Sequence, residues 1–176
     1  NDRVLILHGW GASDYPHWQA QLASHIAQNY GSVCFPKLKN FDAPTKEEWI
    51  SEAKIILEEF KPNIVVTHSV ASTLWFWLAQ EDISTIEKLY LVAPPSQTCN
   101  IPELSTFFPC PTPSSLKAKE AMMIVSDNDP YITMNEAQSL ADSLNIEMVT
   151  LENAGHINSD SGYGKWEWME QKFNQK

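Results

Sequence analysis

Ile64-Val65-Val66-Thr67-His68-Ser69-Val70-Ala71 runs three apolar β-formers through a short polar step and directly into the apolar stretch Val70 to Ala79. A continuous apolar run of this kind reads as a strand covered on both faces. The stretch behind it carries Leu74, Trp75, Phe76, Trp77 and Leu78 in succession. A helix that is apolar nearly all round has to be buried. Ser69 therefore stands at a sharp turn from a buried strand into a buried helix. Such a turn lifts a hydroxyl clear of the sheet, while the next residue's N–H and the helix N-terminus face an oxygen that gains negative charge during acyl transfer. A serine alone at this place reads equally as a helix N-cap. What decides between the two is whether the other groups needed for acyl transfer fall at the ends of other strands.

Working outward, Val4 to Leu7 is a first apolar strand, and Trp18, Leu22, Ile26 and Tyr30 recur on one face of a helix that Gly31 stops. A strand is predicted from Ser32 to Leu38. Thr45 and Glu48 then form a capping box ahead of the stripe Trp49, Ala53, Ile56, Leu57 and Phe60. Strands follow at Asn63 to Thr67, Leu89 to Ala93, Met122 to Val125 and Ile146 to Leu151. Thr133 and Glu136 open a helix with core face Ala137, Leu140, Ala141 and Leu144, and Trp166, Met169 and Phe173 mark a last helix docked on the sheet. Six strands alternating with helices predict a doubly wound α/β fold, a six-stranded parallel sheet with helices on both faces. With 176 residues, 43% of them hydrophobic, residues 1–176 suffice for one core and one domain. Only the segment 94–116 breaks the rhythm. Pro94, Pro95, Pro102, Pro109, Pro111 and Pro113 prevent regular structure there, and Phe107 and Phe108 predict a short lid packed over the sheet.

The formal net charge of −10, with Lys and Arg scattered, excludes a basic face for nucleic acid. No apolar stretch reaches the roughly 18 residues that span a bilayer, so a soluble, cytoplasmic protein without membrane contact is expected. Cys34, Cys99 and Cys110 have no metal-ligand spacing and read as structural thiols, a Cys99–Cys110 disulfide being the lesser alternative.

Ligands of such sheets bind outside the carboxyl ends of the strands. His8-Gly9-Trp10 follows the first strand, Ser69 the third, Asp129 the fifth and His156 the sixth, so all converge on one edge. His156, in Asn153-Ala154-Gly155-His156-Ile157-Asn158, lies on a loop able to swing an imidazole over Ser69. Ser126-Asp127-Asn128-Asp129-Pro130 offers two carboxylates. Asp129 is favoured because it stands further from the strand end and Pro130 holds it extended, leaving Asp127 to accept N–H groups of its own turn. His17 and His25 are expected to be solvated on the first helix, and His68 to point away from the nucleophile. Gly9 fits an oxyanion loop, the N–H groups of Trp10 and Val70 facing the developing charge. His8, Gly9, Trp10 and Tyr15 are the expected substrate contacts at the mouth.

The order Ser, Asp, His along the chain is that of α/β-hydrolases. His8-Gly9-Trp10-Gly11, the elbow at Ser69, Asp129-Pro130, and Gly155-His156-Ile157-Asn158 leading to Gly162-Tyr163-Gly164-Lys165-Trp166 resemble the small serine-hydrolase family that includes the retinoblastoma-binding serine hydrolase. The resemblance spans nearly the whole chain. It implies a minimal α/β-hydrolase without the usual first strands and a Ser69, Asp129, His156 triad acting without metal or organic cofactor. No Leu-x-Cys-x-Glu segment occurs, so retinoblastoma binding does not follow. Thr67 and Ala71 replace the outer glycines of a Gly-x-Ser-x-Gly elbow, and the β-branched Thr67 must find room against the helix. The expected activity is hydrolysis of a small ester or activated acyl substrate through an acyl-enzyme, with thioester and peptide substrates still open. A catalytically weak binding or interaction protein on the same fold is the alternative, and a lyase using Ser69 and His156 as an acid/base pair is a third reading.

Overall fold

The computed structural model describes residues 2–29 and 31–174. In chain order the elements are β1 (Arg3–Leu7), α1 (Trp18–Gln28), β2 (Ser32–Cys34), α2 (Lys46–Phe60), β3 (Ile64–His68), α3 (Val70–Leu78) and β4 (Ile86–Val92). A 3-10 helix over Pro102–Phe107 precedes β5 (Ala118–Ser126), α4 (Met134–Leu144), β6 (Glu147–Leu151) and the short α5 (Glu167–Glu170). The six strands form one parallel sheet in the order β2-β1-β3-β4-β5-β6. This is the predicted six-stranded α/β architecture.

The period-2 alternation of the strands divides the core in two. Leu5, Leu7, Val65, Leu89, Leu91, Met123 and Val125 face one layer, which holds Trp49, Leu74, Trp75 and Leu140 from α2, α3 and α4. Val4, Ile6, Val66, Val92 and Ile124 face the other, which holds Trp18, Leu22 and Ile26 of α1 with Trp166, Met169 and Phe173 near the C-terminus. Both faces of the sheet are thus buried, which is why its strands read as unbroken apolar runs. The chain lays β2 on one side of β1 and then crosses to place β3 on the other side. The carboxyl ends of β1 and β3, on which the site depends, lie side by side at this reversal.

Some elements differ from expectation. β2 stops at Cys34 rather than Leu38. Pro36 has no N–H for a ladder, and those of Leu38 and Lys39 go to His8 Nε2 at 2.7 Å and Glu52 at 2.7 Å. Ahead of α2, Thr45 accepts the Glu48 N–H, but the Glu48 carboxylate takes the Asn40 amide, so only half of the box forms. The Thr133 and Glu136 box is complete. The last helix breaks after Glu170 into a 3-10 turn, although its three core residues are buried as expected. Tyr30 lies outside the described residues. Within 94–116, Phe107 is fully buried edge-on against Trp49 with centroids 5.5 Å apart, and the Trp77 indole donates to its carbonyl at 3.0 Å. The 3-10 helix of this segment thus packs on α2 and α3. Cys99 and Cys110 are both free, and burial pushes the Cys110 thiol up to about 12. Among the described residues no helix is long and apolar enough to cross a membrane, and no group of three His, Cys, Asp or Glu side chains forms a metal cage.

Candidate active site

Ser69 is held in the left-handed region, with φ 57° and ψ −127°, where L-residues are strained. Its N–H donates to the Val92 carbonyl at 2.9 Å, which ties the turn to β4. The β1 loop presses on it from the other side. A Cβ at Gly9 would sit 3.0 Å from Ser69 Cβ and 3.1 Å from the His68 carbonyl oxygen, so any side chain there would press the elbow back by a few tenths of an ångström.

The hydroxyl of Ser69 lies 2.7 Å from Nε2 of His156. On the far side of that ring, Nδ1 is 3.0 Å from Oδ2 and 3.1 Å from Oδ1 of Asp129. The Asp129 side chain is wholly buried and also accepts the Tyr131 N–H at 2.9 Å. Three groups far apart in sequence are thereby brought into one line.

The neighbouring residues of the acid turn set this alignment. Asp127 Oδ1 accepts the Asn153 N–H at 2.8 Å, Ser126 Oγ that of Ala154 at 2.9 Å, and Asn128 Oδ1 that of Gly155 at 2.8 Å. The Ser126 hydroxyl donates to Asn128 Oδ1 at 2.8 Å, which fixes the amide. Three consecutive side chains thus grip three consecutive N–H groups, and the next residue of each loop, Asp129 and His156, meet. Asp127 serves the histidine loop rather than its own turn. Beyond His156, Asn158 and Ser161 bond each other's backbone N–H groups and anchor the loop on that side.

A cavity of about 290 Å³ opens onto Ser69. Gly9 and Trp10 line it, the Trp10 indole being held by the Asp42 carbonyl at 2.9 Å. The N–H of Val70 opens α3 and is among those a helix leaves without an intrahelical acceptor. Two expected contacts are corrected. His8 is 1% exposed and does not line the cavity, because its Nε2 accepts the Leu38 N–H and its Nδ1 donates to the Gly9 carbonyl at 2.7 Å. Tyr15 is 76% exposed and also lies off the cavity. Besides Trp10, Tyr131 lines it, its ring edge-on to that of His156 with centroids 4.6 Å apart. Its signal in the sequence was its place directly after Asp129-Pro130.

Three histidines are also placed differently. His17 is the N-cap of α1, buried in the cavity wall, its Nδ1 accepting the Gln19 N–H at 3.0 Å. His68 lines the cavity too, donating from Nε2 to the His156 carbonyl at 3.0 Å, with its ring between those of His17 and His156. His25 is half-buried and paired with Glu170 at 3.2 Å.

A sequence profile of serine hydrolases matches residues 4–175. The chain belongs to this serine hydrolase family. Comparison with curated proteins returns no match. Among solved structures, the ydeN gene product of B. subtilis superposes with a TM-score of 0.84 at 18% identity, covering 98% of this chain and 96% of that one. A protein described as a YdeN-like hydrolase, from Pectobacterium atrosepticum, gives 0.80 at 23% identity over 98% and 88% of the two chains. Est1E from Butyrivibrio proteoclasticus, solved with ferulic acid, gives 0.72 at 12% identity over 99% and 87%. At these identities the likeness to solved structures is one of α/β-hydrolase fold.

In this serine hydrolase the altered elbow is accommodated by polar pairing. Thr67 is fully buried, and its hydroxyl lies 2.8 Å from that of Ser72 in the first turn of α3 and 3.3 Å from the Tyr90 carbonyl. Thr67→Val keeps the shape and removes these bonds, leaving the buried Ser72 hydroxyl without this partner. The expected loss is about 1–2 kcal/mol, read from the urea midpoint. An unchanged midpoint would show that the pair holds nothing.

Burial lowers the histidines packed around the site. His17 falls from 6.5 to about 4, desolvation acting first and the His156 charge second, and desolvation takes His68 well below 6.5. His8 is lowered by the same cause. Groups with depressed histidine values bind protons more readily when unfolded, so stability is complete above pH 6.5 and falls as pH drops towards 4. His17 alone should remove about 2 kcal/mol between neutrality and pH 5. Urea denaturation at the two pH values checks this, and a flat midpoint would contradict it.

Proposed function

We propose that Ser69 attacks the carbonyl of a small ester, His156 takes the hydroxyl proton, and Asp129 holds the imidazole with its Nδ1–H directed at the carboxylate. The observation that carries this reading is the continuous line from Ser69 Oγ to His156 Nε2 at 2.7 Å and from His156 Nδ1 to Asp129 at 3.0 Å. A serine at its free pKa is a weak nucleophile, and a base within hydrogen-bond reach, itself oriented by a third group, is what activates it. The Ser69 oxygen–acyl carbon bond forms as the carbon–alkoxide bond breaks, and His156 returns the proton to the departing alcohol. Water, deprotonated by the same imidazole, then releases the acid. The N–H groups of Trp10 and Val70 would receive the carbonyl oxygen as it becomes negative, which is where preorganised donors contribute most.

The acyl side of the cavity favours an apolar chain of modest length. Pro95, Ile101 and Leu104 form that wall, and about 290 Å³ limits what fits against it. A fluorophosphonate probe should label Ser69 in the folded protein, and p-nitrophenyl esters of increasing chain length should give a rate maximum at short to medium acyl groups. Folded protein that takes no label and turns over none of these esters would move the reading to a binding protein on a hydrolase fold.

A further inference from the structure

The residues that line the cavity fall into two unlike groups. Pro95, Cys99, Ile101 and Leu104, all from the proline-rich segment, make one of them apolar. The other carries Ser13, Asp14 and His17 from the β1 loop with Asn158, Ser159 and Asp160 from the loop of His156. Two polar atoms in this second group are unusual. Among the described residues the Ser13 hydroxyl and His17 Nε2 find no hydrogen-bond partner, although their residues are only 2% and 6% exposed. Buried polar groups are nearly always paired, so unmet ones beside a reactive serine call for a ligand or water to satisfy them.

Their chemistry limits the ligand. His17 Nδ1 accepts the Gln19 N–H, which puts the ring proton on Nε2 and makes that atom a neutral donor. The Ser13 hydroxyl donates or accepts. Asp14 and Asp160 supply acceptors in the same group, Asp14 already paired with Lys37 at 3.0 Å. An anion would meet two carboxylates in a chain of net charge −10. An ammonium group only donates and would leave Nε2–H unmet. Hydroxyl groups, which donate and accept together, match the whole set.

The mechanism says which half of an ester lies here. His156 Nε2 returns its proton to the leaving oxygen, so the alcohol must depart within hydrogen-bond reach of that ring. Residues 158–160 follow His156 in the chain, and the His17 ring is linked to it through His68, with centroid separations of 4.8 and 5.1 Å. We infer that the side formed by Ser13, His17 and Asp160 is a leaving-group subsite for a neutral polyhydroxy alcohol, the acyl chain lying on the apolar side. The inference rests on the hydrolytic reading of Ser69.

The test compares butyrate esters that share one acyl group, with release of butyric acid followed by pH titration. Glycerol 1-butyrate should exceed n-propyl butyrate in kcat/KM by about tenfold, one to two hydrogen bonds' worth at 2- to 10-fold each. Ser13→Ala should cut that ratio by about 2- to 10-fold. Asp160→Ala, at an exposed position where folding is not at stake, should lower it as well. Equal rates for the two esters, a ratio unchanged in both variants, or a preference for butyrylcholine would overturn the polyol subsite while leaving the hydrolase reading in place. Protein that hydrolyses p-nitrophenyl butyrate identifies that case. Protein that hydrolyses no ester and takes no fluorophosphonate overturns both.

Discussion

Ser69→Ala should lower hydrolysis of p-nitrophenyl butyrate by at least about 10⁴-fold, with fluorophosphonate labelling lost entirely and the urea midpoint little changed. The size of the effect follows from nucleophile, base and orienting acid acting as a unit, so that removing the attacking atom leaves only what binding and the oxyanion donors supply. The fold should survive because Ser69 Oγ is not part of its support. The turn is fixed by the backbone bond from Ser69 to Val92 and by the close seat of Gly9, and alanine occupies the same strained φ of 57° with the same Cβ. Burst kinetics on the parent protein and their disappearance in the variant would separate acyl-enzyme chemistry from simple acid/base elimination. A variant that keeps most of its turnover would place the reacting group elsewhere and end the nucleophile assignment.

The parts of this site that were legible in the sequence are those set by repeating chemistry. Apolar runs such as Val4 to Leu7 and Ile64 to Val66 announce strands buried on both sides, and the parallel sheet follows because helices must cover both faces. Once strand ends are known, the reactive groups lie on one edge without further information, which is why Ser69, Asp129 and His156 were found together. What was not legible depends on the pleat and on the loops. His68 is the last residue of β3, and the alternation that sends Thr67 towards α3 sends His68 to the opposite layer, beneath the His156 loop. A turn diagram alone places it pointing away. His17, expected to be solvated on the first helix, instead precedes the first helical residue and caps it. His8 and Tyr15 flank Gly9 and Trp10 in sequence, but neither lines the cavity. A loop that reaches back to bond His8 through Leu38, thirty residues on, has no local signature.

The grip of Ser126, Asp127 and Asn128 on residues 153–155 belongs to the same class. Each of the three is an ordinary turn residue by itself. Only the approach of the two loops shows that they pull His156 into place, and this arrangement also explains why one turn carries two aspartates with different tasks.

Those two aspartates give the second large effect. Asp129→Asn should reduce turnover by about 10⁴-fold, whereas Asp127→Asn should change it only a few-fold. At position 129 the amide has one orientation available. The Tyr131 N–H, 2.9 Å from Oδ1, needs an acceptor, so the amide oxygen takes that place and the NH₂ group takes that of Oδ2, 3.0 Å from His156 Nδ1. The amide oxygen also lies 3.1 Å from Nδ1, but the NH₂ at the shorter contact replaces an acceptor with a donor and favours the tautomer in which Nδ1 accepts and the ring proton sits on Nε2, the atom that must receive the proton of Ser69. The base is then in the wrong tautomer at an unchanged position. At position 127 the single bond to the Asn153 N–H, 2.8 Å from Oδ1, is kept by an amide oxygen, and no imidazole depends on it. The contrast is measured by kcat on p-nitrophenyl butyrate, with the urea midpoint confirming that both variants fold. Equal losses in the two variants would mean that Asp129 holds the loop rather than the proton, and a larger loss at 127 would exchange their roles.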